Sequence, residues 1–317
     1  MKAAAIDRFG PPSAVKLHTL PLPRPGPRQV LIELHAAGVG SWDQSIRDGS
    51  WKLGGRTRFP LVLGTDGAGI VVAKGARVRR FRVGDRAYGY EPFNSRGGFY
   101  AEYIAIDEKS TALVPRRLDL IQAGAGAVTG LTALQGIDRA LRVRRRETVL
   151  IFGASGSVGT LAVQFAKRRG ARVLATASGT AAMALVRRLG ADAVVDARRA
   201  DAADRLRDLT PKGIDAALAL AGGDALERCL DFMRDGGRIA YPNGVEPVPK
   251  PRRGFRIQSY DAEAGPREFA QLGRAVEQAR LRVPVAGTYP LGKAAEAHRR
   301  LQEKVIGRLV LRIRRPR

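Results

Sequence analysis

Three glycines, Gly153, Gly156 and Gly159, stand at GxxGxxG spacing within "VLIFGASGSVGTLAVQFAKRRGARVLATAS", residues 149–178. The apolar run "VLIF" leads directly into them, and an amphipathic helix pattern leads directly out. In that setting each glycine has a physical task. The first permits a tight turn, the second lets backbone approach a pyrophosphate, and the third lets the helix pack closely on the strand. The helix N-terminus then faces the phosphates. The spacing predicts a dinucleotide site.

In a site for NAD, an acidic residue about 20 residues further on, at the end of the second strand, holds the ribose hydroxyls. Here that position is Ala177, followed by Ser178, Gly179 and Thr180. An Asp there would repel a 2′-phosphate, whereas hydroxyls with a nearby Arg accept one. The third strand ends in "VVDARR", which makes Arg198 the candidate partner. The expected cofactor is therefore NADP(H).

The surrounding elements fit this role. From residue 123 to 261 strands alternate with helices: "TVLIFG", "SVGTLAVQFAKRRG", "RVLATA", "AAMALVRRLG", "AVVD", "AADRLRDL", "DAALALA", "ALERCLDFM" and "GRIAYP". Such alternation means βαβ units and a doubly wound parallel sheet, an α/β fold. Residues 1–122 instead read as short strands punctuated by Gly and Pro. In "QVLIELHAAGVG" Glu33 and His35 point outward while Val30, Ile32 and Leu34 point inward. The remainder, 262–317, offers two helices and a strand, too little to fold alone, and is expected to pack back onto the first domain.

At 317 residues the chain has the length of about two domains. Asp7 and Arg8 interrupt any signal-peptide core, and no stretch approaches the roughly 20 apolar residues of a membrane helix, so the expected location is cytoplasmic, away from any membrane. A single cysteine, Cys229, excludes intrachain disulfides and thiolate clusters. The net charge of +25, with Arg outnumbering Lys more than four to one, favours adhesion to polyanions. The basic runs "RVRRFR", "RVRRR", "KPRRGFR" and "RIRRPR" are scattered, however, without the aromatic interleaving of a single-strand groove.

Several further motifs, in order, resemble one family. They are "AAGVGSWDQSIRDG" (36–49), "FPLVLGTDGAGIV" (59–71), "VGDRAYGY" (83–90), "GGFYAEYIAI" (97–106), "VTGLTALQGI" (128–137), "GASGSVG" (153–159), "GGRIAYPNG" (236–244), "YPLGKAAEAHRRL" (289–301) and "GRLVLRI" (307–313). The chain resembles the medium-chain dehydrogenase/reductases, and among them the zinc-independent quinone oxidoreductases similar to zeta-crystallin. The resemblance implies a GroES-like β domain formed from both chain ends beside a Rossmann domain, and a homodimer. It also implies cofactor contacts from Thr132, Ser155, Gly156, Ser157, Val158, Ser178, Ala221, Pro242, Asn243 and Arg308, and a substrate pocket at Gly40, Ser41, Trp51 and Thr65.

The metal branch of that family carries a cysteine at the position of Gly40 and "GHE" where this chain has Gly64, Thr65 and Asp66. Catalytic zinc needs three N, S or O ligands from the protein, and Gly40 and Thr65 supply neither thiolate nor imidazole. No metal is expected. His18, His35 and His298 fall in unrelated segments.

Without a Lewis acid, nothing stabilises the alkoxide that alcohol oxidation requires. A quinone or an α,β-unsaturated carbonyl is the easier partner, because its oxygen takes up the incoming electron pair. The resemblance implies NADPH-dependent reduction of such acceptors. Alternatives are a nonzinc dehydrogenase or enoyl reductase acting on another carbonyl or a carrier-bound substrate, and a nucleotide-binding protein that associates with nucleic acid. The family's usual basic residue four positions after Ser178 is Ala182 here, and Trp51 stands where a Tyr is common. Ser41, Asp43 and Tyr88 are candidate proton donors, among which the sequence does not choose. Tyr100 and Tyr103 read as strand packing.

Overall fold

The computed structural model describes residues 1–51, 57–92 and 97–314. The end of the basic run "RIRRPR" therefore lies outside the described residues. The chain divides into two compact units, one of residues 1–128, 264–277 and 283–317, the other of residues 129–263 and 278–282.

The second unit holds a six-stranded parallel sheet. In chain order its elements are β9 (Thr148–Phe152), α3 (Ser157–Arg168), β10 (Arg172–Thr176), α4 (Thr180–Arg188), β11 (Ala193–Val195), α5 (Ala202–Leu209), β12 (Ile214–Ala219), α6 (Asp224–Leu230), β13 (Met233–Pro242) and β14 (Arg256–Tyr260). The strand order is β11-β10-β9-β12-β13-β14, the doubly wound order with its switch point beside β9. Helices cover both faces of such a sheet, which is why "TVLIF" and "IDAALA" are near-continuous apolar runs rather than alternating ones. Leu150, Phe152, Leu174, Ala217 and Ile239 form the core here. The expected helix "ALERCLDFM" ends early, at Leu230. Met233 instead opens a ten-residue strand, because its neighbour Phe232 accepts the Ile214 amide at 2.9 Å and Met233 itself pairs with Ile214.

The first unit contains β1 (Lys2–Ile6), β2 (Lys16–Thr19), β3 (Gln29–Val39), α1 (Ser41–Asp48), β4 (Leu61–Val62), β5 (Asp66–Lys74), β6 (Arg86–Tyr90), β7 (Tyr103–Asp107) and β8 (Thr111–Leu113). The chain's return adds β15 (Val285–Pro290), α8 (Ala294–Arg300) and β16 (Arg308–Arg312). The long strand β3 is its spine, flanked by β16, β5 and β7, while β2-β1-β4 form a small second sheet. The return strand pairs antiparallel with the end of β3, Leu309 opposite Val39 and Leu311 opposite Ala37. Ile6, Ile32, Leu34, Val71, Phe99 and Leu309 share one core, so residues from both ends of the chain fill it.

Two expectations fail at this level. His35 was expected to point outward, yet it is buried, because β3 from Leu34 onward is enclosed on both faces and only Gln29 and Glu33, before that point, keep partial exposure. The helix α2 (Leu120–Gln135), continued by a π-helical turn over Gly136–Ala140, is long and apolar enough to cross a membrane by length and composition, contrary to the sequence reading. Its most apolar window is 83% buried inside the chain, as a core helix is.

Candidate nucleotide and substrate sites

The glycine loop takes the shape its spacing requires. Gly153 leaves β9 at φ +83°, a left-handed conformation that side chains other than hydrogen disfavour. A Cβ on Gly159 would run into the backbone of Gly153 and Ala154, so this glycine sets the close packing of α3 on the loop. A Cβ on Gly156 would meet only the Gly153 carbonyl, at 3.5 Å. Gly156 is thus the open position, and it is the N-cap of α3 with no side chain to bond the first amides. The amides of the first helical turn have no partner within the helix and point at whatever lies above the loop. That cradle fits the pyrophosphate of a dinucleotide. Ser155 in the loop is buried, and Ser157 and Val158 begin the helix.

Other predicted cofactor residues collect at the same carboxyl edge of the sheet. Ala221 follows β12, and Pro242 and Asn243 close β13, with the Asn243 side-chain amide donating to Asp261 at 2.7 Å. Thr132 lies in α2, its carbonyl accepting the Tyr260 hydroxyl at 3.0 Å.

At the ribose end the structure adds a residue the sequence reading missed. Asp196 directly follows β11, and the parallel pairing of Thr176 with Val195 places it beside Ala177, which directly follows the neighbouring β10. Its carboxylate takes the Arg198 amide at 3.1 Å, Arg198 Nε at 3.3 Å and Arg198 Nη2 at 3.3 Å. The Ser178 hydroxyl also donates to it, and these bonds, Arg198 first, hold the Asp196 carboxyl well below the usual carboxylate range. Ser178 and Arg198 are together as expected, but on a carboxylate. The signal was in "VVDARR", two residues before the Arg that was singled out. Ala182 is buried in α4, so no cation stands at that position.

The first unit carries a buried charge cluster. Asp66 opens β5 and Arg308 opens β16, and the register of β16 on β3 and β3 on β5 brings them together across 242 residues. Arg308 Nη2 donates to Asp66 Oδ1 at 2.9 Å, and Asp66 Oδ2 accepts the Val128 amide at 3.1 Å. Burial raises the Asp66 carboxyl, and the guanidinium pulls it back. Asp43, in the first turn of α1, accepts the Gly40 amide at 2.8 Å and is wholly buried, which pushes its carboxyl up to about 7. The Tyr100 hydroxyl lies beside Asp43 without meeting hydrogen-bond geometry, and burial together with Asp43 holds it well above the ordinary phenol range. Behind it, Arg47 Nη1 lies 3.2 Å from His298 Nδ1, and burial and Arg47 lower that imidazole to about 3, leaving it neutral.

Of the predicted pocket residues, Gly40 and Thr65 adjoin this cluster. Gly40 caps α1 and Ser41 is its exposed first residue. Trp51 is half-buried against Trp42, ring centroids 4.4 Å apart, and Thr65 is buried one residue before Asp66. A Cβ at position 40 would lie 2.5 Å from Arg308 Nη1, and one at position 38 would lie 2.6 Å from Asp66 Oδ1. The guanidinium of Arg308 thus fills the space a cysteine side chain at 40 would enter, and Arg308, expected at the cofactor, is committed to Asp66. Among the described residues no three His, Cys, Asp or Glu side chains converge to hold a metal. Tyr88, a candidate donor, is buried with its ring on Phe269 and its hydroxyl unpartnered, and burial raises it above the ordinary phenol range.

Comparisons with known proteins agree with this architecture. The model of the alcohol dehydrogenase GroES-like domain matches residues 26–116, and that of the zinc-binding dehydrogenases matches residues 157–250. The quinone oxidoreductase of Sus scrofa is 32% identical over 310 residues, covering 94% of this chain and 93% of the relative. Among solved structures, an NAD-dependent alcohol dehydrogenase superposes with a TM-score of 0.91 at 32% identity over 99% of this chain and 100% of the other. A mycobacterial protein in complex with NADPH superposes with a TM-score of 0.86 at 28% identity, over 99% of this chain and 100% of the other. With GroES-like and Rossmann units in family order and relatives matched nearly end to end, the chain belongs to the medium-chain dehydrogenase/reductases, in their quinone oxidoreductase branch.

Proposed function

We propose that the chain is an NADPH-oxidising reductase that delivers hydride to quinones or α,β-unsaturated carbonyls without a metal. The observation that carries this reading is the Arg308 guanidinium, which pairs with Asp66 and fills the space beside Gly40. With Gly40 and Thr65 in place of thiolate and imidazole, these two positions offer a catalytic zinc no ligand, and an alkoxide there would go unstabilised by one.

Bound NADPH supplies the hydride. The chain's own part is to bind and orient. The first amides of α3, with Gly156 open above them, would hold the pyrophosphate, and a position 177 without a carboxylate of its own supports NADPH as a donor. The mycobacterial neighbour solved with NADPH points the same way, while the NAD-dependent neighbour favours NADH. Ser41 and Trp51 are the side chains assigned to the acceptor, Ser41 presenting an exposed hydroxyl and Trp51 an aromatic face. A quinone that receives a hydride needs one further proton to become the hydroquinone, and solvent water, directly or relayed through the exposed Ser41 hydroxyl, would supply it. Orientation and exclusion of competing water are then the main sources of rate. A cytoplasmic homodimer is part of the same reading, and light scattering of the purified protein tests the dimer.

The experiment is a panel of 1,4-benzoquinone, 9,10-phenanthrenequinone and a conjugated enal with NADPH, followed by loss of nicotinamide absorbance. Turnover of the quinones supports the reading, and turnover of none of them overturns it.

A second reading, association with nucleic acid, rests on a cleft of about 530 Å3 in the second unit lined by Lys167, Arg168, Arg188, Arg280 and Arg282. It is the weaker one. Lys167 is already paired with Asp192 at 2.8 Å and Arg168 with Asp138 at 3.3 Å. Lys167, Arg168 and Arg188 also sit in the last turns of α3 and α4, where cations complement the helix dipole without any ligand. A salt-dependent RNA mobility shift tests it.

A further inference from the structure

We propose that Asp196 is a built-in competitor for the cofactor's 2′-phosphate, and that it narrows this chain's choice between NADPH and NADH. The inference rests on the reading of the loop at Gly153–Gly159 as a nicotinamide dinucleotide site.

The two groups that would receive a 2′-phosphate are Ser178 and Arg198. Both are already spent on one carboxylate. Asp196 takes Arg198 through two side-chain contacts of 3.3 Å and one backbone contact of 3.1 Å, and it takes the Ser178 hydroxyl. The parallel register fixes this arrangement, since Thr176 pairs with Val195 and the next residue on each strand is Ala177 and Asp196. An acid missing from the end of β10 is thereby supplied from the end of β11. Arg198 is mostly exposed and Asp196 is mostly covered, so the guanidinium is the mobile member and the carboxylate the fixed one.

The charges decide the outcome. A 2′-phosphate arriving here meets an Arg whose charge is neutralised and a carboxylate of its own sign, and it has to displace both from each other before it gains a charge-assisted bond. A ribose 2′-hydroxyl has no such conflict, because a carboxylate accepts from it. At the start of α4 no cation takes over the role, since position 182 is a buried alanine. Asp196 thus opposes the phosphate that Ala177 and Arg198 would otherwise favour, and the two tendencies partly cancel.

The test is titration of NADPH and NADH, followed by cofactor fluorescence, against the wild type, Asp196→Asn, Asp196→Ser and the double variant Asp196→Asn with Arg198→Ala. In the wild type the two dissociation constants should lie within roughly tenfold of one another, since one charge-assisted contact is gained and one is lost. Asp196→Asn should tighten NADPH by roughly tenfold, the worth of releasing one such contact, with NADH unchanged or weaker. Adding Arg198→Ala should abolish that gain. Asp196→Ser covers the case in which the amide perturbs the loop, and circular dichroism confirms folding of each variant. An NADPH-to-NADH ratio that stays fixed in both single variants, or weaker NADPH binding in both, overturns the inference alone. Binding of neither cofactor to the folded wild type overturns the dinucleotide reading and the inference with it.

Discussion

Asp43→Asn offers a direct reading of the buried cluster. Asp43 is wholly enclosed, and burial, reinforced by the nearby Asp66 charge and opposed by Arg308 and the Gly40 amide, lifts its carboxyl from 3.8 to about 7. Between about pH 4 and pH 7 the folded chain therefore keeps a proton that the unfolded chain has released. Stability from this group is present in full below the unfolded value and is lost as pH rises through the folded one. A tenfold difference in proton affinity corresponds to about 1.4 kcal/mol, so the interval from pH 5 to the folded value near 7 costs the wild type about 3 kcal/mol by pH 8. An asparagine cannot ionise, and its stability lacks this loss. Urea unfolding at pH 5 and pH 8, followed by tryptophan fluorescence, measures the difference, because Trp42 and Trp51 belong to the same unit as Asp43. Taking variant minus wild type cancels other titrating groups, such as Glu91, whose carboxyl burial raises to about 7. The gap should widen in favour of asparagine by about 3 kcal/mol from pH 5 to pH 8. A gap constant within about 0.5 kcal/mol would refute the reasoning.

Three further outcomes follow from the same geometry. Arg308→Met leaves Asp66 buried without its counter-ion and should cost roughly 3–5 kcal/mol in urea unfolding, with Asp66→Asn in the same chain restoring part of it. Gly156→Val keeps the fold, since a Cβ there meets only one carbonyl at ordinary contact distance, but should weaken NADPH binding by roughly hundredfold in a fluorescence titration by covering the amides of α3. Elemental analysis of the purified protein should find no stoichiometric zinc, and chelators should leave turnover unchanged, because Gly40 and Thr65 offer no ligand atoms of the required kind.

The glycine loop and the parallel sheet were legible because they depend on local order. Strand, turn and helix follow one another within 21 residues, and a change of hydrophobic period marks the boundary between all-β and alternating segments. The buried cluster was not legible, since Asp66 and Arg308 meet only through the register of three strands. His35 misled for a related reason, as alternation predicts one solvated face and the end of β3 has none. Asp196 was within reach. It stands two residues from Arg198, and the parallel register that brings it to Ser178 is the ordinary one for neighbouring strands. The reading of cofactor choice took Arg198 from the end of the third strand and passed over the carboxylate two residues before it.

The most direct test of the account compares kcat/KM for reduction of 9,10-phenanthrenequinone by NADPH with kcat/KM for oxidation of a primary alcohol by NADP on the same preparation. If the chain orients an electrophilic acceptor as proposed, then with no zinc ligand at Gly40 or Thr65 to stabilise an alkoxide it should reduce the quinone with at least about a thousandfold advantage, on the order of 4 kcal/mol of transition-state stabilisation that the alcohol does not receive. Alcohol oxidation at a rate equal to or above quinone reduction would contradict the account.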